Sequence, residues 1–288
     1  MQFQVYASHQ ALTPHIRYYW SLKGSLPPTA RCAWRFVTEG VELCFNMGDP
    51  VKAVMADTPV MTVPDVSLAG ALSRPVTLHP EADVDLVGVC FRPGGIQAFL
   101  TRPAQELTDN LMDAPSVWPA AGHGLVGRLR DNGLATRAGL AWLDRFFLDR
   151  LGSGGPQDLR VGAAVAVIES SRGLIPIGRL AEKTGLSIRQ LERKFRAHIG
   201  LTPKQMCRSL RFKHALARKA RSPQRSWLET ALDSGYYDQA HLINDFRHFT
   251  GLSPCALFQD PCAAAPFFFA AHQTAPGPRA IGGPVQKT

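Results

Sequence analysis

Leu180-Ala181-Glu182-Lys183-Thr184-Gly185-Leu186-Ser187-Ile188-Arg189-Gln190-Leu191-Glu192-Arg193-Lys194-Phe195, with Gly200 and Pro203 behind it, has a second copy further along the chain. That copy runs through Thr230-Ala231, Gly235, Asp238, Leu242, Phe246, Gly251 and Pro254. Ala181 to Ala231 and Gly185 to Gly235 are offsets of 50, whereas Leu191 to Leu242, Phe195 to Phe246, Gly200 to Gly251 and Pro203 to Pro254 are offsets of 51. One extra residue therefore follows the glycine turn, and everything after it keeps step. An internal repeat of this period marks a duplicated supersecondary unit. Here each unit reads as a helix, a glycine turn and a second helix.

The residue types suit that reading. Ala181 and Ala231 are small enough to let the second helix cross closely over the first. The glycine four residues later takes the positive φ that ends a helix sharply. Leu191/Phe195 and Leu242/Phe246 stand at i and i+4, so each pair faces a small core. Ser187 and Asp238 are placed to cap the second helices, Gly200 and Gly251 to stop them, and Pro203 and Pro254 to begin the next. A single copy would read as an ordinary helical hairpin packed on other protein. Two copies in step, on a basic segment, favour DNA binding.

The charge is unevenly spread. Residues 159–258 hold 17 Lys or Arg and 7 Asp or Glu, a balance of +10, and the remainder holds 15 basic and 16 acidic residues, a balance of −1. The whole excess of +9 thus comes from the repeat region. A basic domain joined to a neutral one is the electrostatic footprint of a polyanion binder.

Gly235-Tyr236-Tyr237-Asp238-Gln239-Ala240-His241-Leu242, followed by Phe246-Arg247, Gly251 and Pro254, resembles the signature of the AraC-type transcriptional regulators. Leu180-Ala181 through Leu191-Glu192-Arg193-Lys194-Phe195 and Gly200-Leu201-Thr202-Pro203 resembles that family's first helix-turn-helix. The resemblance covers about 100 residues. It departs at the end, where the family's Pro-x-x-Tyr-Arg is replaced by Pro254 and Leu257-Phe258, which removes an aromatic hydroxyl and a charge but leaves residues able to fill a core.

The 288 residues suffice for two cores, and 45% apolar with 19% charged residues is a soluble globular composition. No run approaches the ~18 apolar residues of a membrane span, and the first residues show no signal-peptide pattern. Cys32, Cys44, Cys90, Cys207, Cys255 and Cys262 are scattered. They read as reduced, mostly buried thiols of a cytoplasmic protein, with a Cys44–Cys90 redox pair the minor alternative.

The expected fold class is α+β. A β-rich domain with a helical C-terminal part spans 1–150, a flexible linker 151–158 and the double helix-turn-helix 159–260. A largely disordered tail, interrupted by Phe267-Phe268-Phe269, spans 261–288. Strands are expected at 41–47, 51–55 and 85–91, and a helical pattern from about 95 to 150. There Leu140, Leu143, Phe146, Phe147 and Leu151 form either core or a subunit interface. The blocks Tyr18-Tyr19-Trp20, Gly40 to Asn46 and Gly88 to Gly95 resemble a sensor domain often found before AraC-type DNA-binding halves, which implies a cupin-like barrel and a pocket for a small-molecule effector. Its metal-binding pattern is absent. His79 stands alone as a structural or surface residue, and neither a metal nor another cofactor is expected.

With Leu191 and Phe195 inward, Arg189, Glu192 and Arg193 face outward, and the family resemblance puts them at base-reading positions. Arginine suits guanine O6 and N7; Glu192 either accepts from a cytosine amine or orients Arg193. The matching positions of the second unit are Ala240, His241 and Asn244, where Ala240 suits a thymine methyl, Asn244 suits adenine, and His241 leans towards capping or packing. Lys194, Arg196 and Arg247 are assigned to the DNA backbone. Pro203 to Arg221 reads as one helix of about 28 Å, with Arg208, Arg211, Lys213, Arg218, Lys219 and Arg221 outside. That length is close to the ~34 Å between successive major-groove faces.

These readings describe a transcriptional regulator, an activator by family type, without catalytic residues. Its expected partners are double-stranded DNA and RNA polymerase, with a small-molecule effector and a homodimer left open and no membrane. The alternatives are an enzyme, with a catalytic N-terminal barrel fused to a DNA-binding domain, and a protein-interaction adaptor. For an enzyme, Glu39, Glu42, Asp49, Asp83 and Asp85 show no diagnostic spacing.

Overall fold

The computed structural model describes residues 1–26, 33–36, 38–55, 58–119, 125–132 and 136–260. The N-terminal strands are β1 (Gln2–Tyr6), β2 (Ile16–Ser25), β3 (Trp34–Phe36), β4 (Glu42–Asn46), β5 (Val51–Met55), β6 (Met61–Thr62), β7 (Val66–Ala69), β8 (Val76–Pro80), β9 (Asp83–Phe91) and β10 (Leu111–Asp113). Six form one antiparallel sheet in the order β1-β2-β9-β4-β7-β10, and four form a second in the order β3-β8-β5-β6. No ladder joins the sheets among the described residues, so the expected barrel is a two-sheet arrangement that does not close.

Strand alternation gives the larger sheet two buried faces. In the β4–β9 register Leu43 lies opposite Val89 and Phe45 opposite Val87, and all four are buried in the main N-terminal core. The alternate positions pair Glu42 with Cys90, Cys44 with Gly88 and Asn46 with Leu86. Those side chains turn to the smaller sheet. Gly88 is required there: a Cβ would fall 2.1 Å from the Trp20 ring, so only glycine lets the indole lie across the strand.

The chain then passes through 3-10 turns at Gly95–Ala98 and Ala104–Glu106 to α1 (Ala114–Val117), α2 (Leu125–Asn132) and α3 (Arg137–Leu148). The stretch after 95 is thus less helical than its pattern suggests, because Gly94-Gly95 and Pro103 interrupt it. Leu140, Leu143, Phe146 and Phe147 are buried, and Phe147 meets Phe91 and Phe99 edge-on at centroid distances of 5.5 and 5.1 Å. They are core; Leu151 is exposed.

The C-terminal helices are α4 (Leu159–Ser170), α5 (Ile177–Thr184), α6 (Ile188–Ile199), α7 (Pro203–Arg221), α8 (Trp227–Asp233), α9 (Gln239–Thr250) and α10 (Pro254–Gln259). Gly185, Gly200 and Gly251 have φ of 64°, 89° and 69°, the left-handed conformation that lets glycine end α5, α6 and α9. Two small cores result. One gathers Leu180, Ala181, Leu191, Phe195 and Met206, the other Phe212, Ala231, Leu242, Phe246 and Leu257. The long helix α7 contributes to both. Phe258, at the departure from the family ending, packs edge-on to Trp227 at 5.3 Å.

Backbone N–H groups of Gly154 and Gly155 donate to the carbonyls of Ala98 (3.1 Å) and Leu100 (3.0 Å), which tie this segment to the β-rich domain. Thr108 Oγ1 donates to the Gly200 carbonyl at the end of α6 (2.9 Å). Arg17 pairs with Glu169 of α4. The buried Glu39 carboxylate accepts from Ser209 Oγ and Lys213 Nζ of α7, both at 2.6 Å. Among the described residues no helix is long and apolar enough to cross a membrane. The tail 261–288, with Phe267 to Phe269, lies outside the described residues.

Candidate nucleic-acid interface

Helix α6 begins with a reciprocal capping box: Gln190 N–H donates to Ser187 Oγ (3.2 Å) and Ser187 N–H to Gln190 Oε1 (3.0 Å). Helix α9 begins with Asp238, whose Oδ1 accepts from His241 N–H at 2.7 Å. These contacts hold the first turns, from which the candidate base-reading side chains project.

Leu191 and Phe195 are fully buried, and Arg189 and Arg193 are exposed on the opposite side of α6. With Ser187, Gln190, Glu192 and Arg196 they line a shallow polar concavity. Glu192 lies 3.8 Å from Arg196, so its ionic neighbour is that residue and not Arg193. In α9 Leu242 and Phe246 are fully buried, and Ala240, His241, Asn244 and Arg247 are exposed. The His241 ring meets Tyr236 edge-on at 5.1 Å. Tyr237, 87% exposed in the turn before α9, places a phenol beside this face, and neither spacing nor charge marks it in the sequence.

The basic residues divide into two sets. Arg208 Nε donates to Asp245 Oδ1 at 2.5 Å, and the buried Asp245 also accepts from Tyr236 at 3.0 Å. Arg218 lies 2.8 Å from Asp233 and Lys213 is held by Glu39. Lys194 is turned to Asp158, the cap of α4. Much of the charge expected on the outside of α7 is therefore neutralised within the molecule. No ion pair among the described residues reaches Arg189, Arg193 or Arg247, and these arginines remain on the exposed faces of α6 and α9.

Away from this surface, a cavity of about 120 Å³ lies between the two sheets. Tyr18, Trp20, Trp34, Leu78, Leu86 and Glu42 are among its lining residues, and apolar groups make up most of its wall. Burial pushes the Glu42 carboxyl up to about 7, a rise that Lys213 and Arg17 only partly offset. Burial also pushes the Cys44 and Cys90 thiols up to about 12, which keeps them protonated and weakly nucleophilic. The other acids weighed for catalysis have structural partners: Glu39 on α7, Asp85 on Lys23, Asp83 on Ser25 and Asp49 on the backbone N–H groups of Ala82 and Asp83. Glu42 was visible in the sequence as an acid without a pattern. Its inward register became visible only with the strand pairing.

Residues 180–260 match a helix-turn-helix domain family, and residues 4–113 match a domain of unknown function, DUF6597. The chain therefore carries a helix-turn-helix domain behind a β-rich domain of that second kind. Over 99 residues it is 32% identical to an uncharacterized HTH-type transcriptional regulator of Haemophilus influenzae; the match covers 34% of this chain and spans about a third, 33%, of that protein. Its fold is similar to that of ToxT from Vibrio cholerae, with a TM-score of 0.51 and 9% identity over 87% of this chain and 98% of ToxT. An apo ToxT variant from the same organism superposes with a TM-score of 0.49 at 11% identity, over 84% and 97% of the two chains.

Proposed function

We propose that this chain is a sequence-specific DNA-binding transcriptional regulator that places α6 and α9 in successive major grooves. The observation that carries the reading is the pair of capped helices that turn Arg189 and Arg193, and Ala240, His241 and Asn244, outward at equivalent positions of a duplicated unit. Helix α7 joins them, and its 19 residues span about 28 Å, near the repeat of the groove. The DNA-binding unit is taken as 159–260. Arg189, Glu192 and Arg193 read bases from the first unit, and Ala240, His241 and Asn244 from the second. Arg196 and Arg247 meet phosphates; Lys194 does so only by leaving Asp158. Tyr237 is added as a phosphate donor.

The β-rich domain, with its cavity and its buried contact to α7, is the seat of effector control. RNA polymerase and a second copy of the chain stand as further proposed partners, in the role of an activator. The dispersal of Glu39, Asp49, Asp83 and Asp85 into structural contacts favours this reading over an enzyme. Footprinting the full chain on genomic DNA tests it. The expected result is salt-sensitive protection of two stretches about one helical turn apart; uniform, sequence-independent protection overturns it.

A further inference from the structure

The ion pairs around the inter-sheet cavity leave one charge over. Arg17 of β2 is engaged by Glu169, and Lys213 of α7 is engaged by Glu39. The remaining titratable groups that face Glu42 are the Tyr18 phenol of β2 and the thiols of Cys44 on β4 and Cys90 on β9, all held neutral by burial. Among the described residues no hydrogen bond or ion pair reaches the Glu42 carboxylate, although it lines the cavity. Glu42 is half-buried, with its exposure towards the cavity; an unpartnered carboxylate against a mostly apolar wall is costly, and the nearby cations already serve other acids.

We propose that this cavity takes a compact organic ammonium compound, with an apolar body about the size of one ring and a protonated amine paired to Glu42. The wall supports that chemistry. Tyr18, Trp20, Trp34 and Phe3 supply aromatic surface that attracts a cation as well as an apolar body. A volume of about 120 Å³ suits a ligand near the size of benzene, which fills apolar protein cavities of about 150 Å³. A bare divalent ion is ill matched, since such ions need about six oxygen ligands and the wall is mostly apolar. An anion would meet the carboxylates of Glu42 and, behind it, Glu39. The assignment deepens the effector part of the proposed function and rests on that part for its regulatory meaning.

Titration of the full chain with benzylamine, benzyl alcohol and benzoate, followed by calorimetry and tryptophan fluorescence, tests it. Benzylamine should bind at or below about 1 mM, at least tenfold tighter than the alcohol, with benzoate weakest. Its affinity should rise roughly tenfold from pH 6 to pH 8 as Glu42 loses its proton. Glu42→Gln should abolish the preference for the amine and flatten the pH profile, with an unchanged circular dichroism spectrum. Ala69→Phe, which fills the cavity from β7, should abolish binding of all three. Benzoate binding as tightly as benzylamine, no saturable amine binding, or a pH-independent amine affinity overturns the assignment. Operator affinity measured with and without benzylamine tests effector control separately: an unchanged value there overturns the regulatory reading and leaves the ligand class standing.

Discussion

Single side chains carry two kinds of consequence here, one at the surface and one inside. At the surface, Arg193 is exposed two positions after the buried Leu191 and has no acidic partner, so its guanidinium is free for a base edge. Arg193→Ala should cost about 1–3 kcal/mol on a specific site and relax preference at one position. Binding to specific and random duplexes checks this, and equal losses on both would mean a phosphate contact. Inside, Glu42 has a folded-state carboxyl raised to about 7, above its ordinary value. Its contribution to stability is therefore fully present below the ordinary carboxylate range and is lost as pH rises through 7. Glu42→Gln should change the unfolding free energy little at pH 4 and increase it at pH 8 by an amount on the order of 1–3 kcal/mol, seen as a higher melting temperature there. Thermal melts across that range decide it.

Among the elements, the two proposed recognition helices share a frame and differ in chemistry. Helix α6 offers two unpaired arginines and a carboxylate, which can make directional, charge-assisted contacts. Helix α9 offers Ala240, His241 and Asn244, of which His241 is partly engaged with Tyr236. Base substitutions under the first unit should weaken binding more than those under the second, by about 1–3 kcal/mol for a lost bidentate pair. A systematic scan of a footprinted operator measures it, and equal intolerance in both halves would remove the asymmetry. The joint between α7 and α9 depends on Asp245, buried at 1% exposure between Arg208 and Tyr236. Asp245→Ala should destabilise the second core by about 3 kcal/mol, visible in chemical denaturation, because it strands a cation and a hydroxyl.

For the molecule as a whole, the contact between domains includes apolar Ala71, the Thr108–Gly200 and Arg17–Glu169 contacts and a buried polar cluster around Glu39. Burial alone would raise that carboxyl, but Lys213, Ser209 and Arg17 together bring it below its ordinary value. A depressed folded-state value gives stability that is present above the ordinary range and lost as pH falls through the folded value. The contact should hold at neutral pH and open in acid, which scattering at pH 7 and pH 3 would reveal as a larger radius of gyration at the lower pH. Residues 159–260, which supply both small cores but for Ala71, should fold alone and bind DNA with a strong salt dependence. Folded fragment by circular dichroism with no such binding would remove the DNA-binding assignment.

The repeat, the caps and the outward positions of α6 and α9 were legible because each depends on residues within about four positions. Ser187 meets Gln190, Asp238 meets His241, and glycine ends the helix next to it. Leu191, Phe195, Leu242 and Phe246 could be placed inward by helical spacing alone. The β-rich half was legible only as strands, since both faces of β4 are buried and alternation does not say what each face meets. The fate of the basic residues was hidden for a related reason. Lys213 reads as a surface charge on its helix, yet its partner is Glu39, and Ser209 meets the same carboxylate across 170 residues of chain. Local chemistry determined the helices. Register, the packing of one sheet on another and the pairing of charges far apart in sequence determined the cavity, the unpartnered Glu42 and the way the two domains meet, and those exist only once the chain has closed on itself.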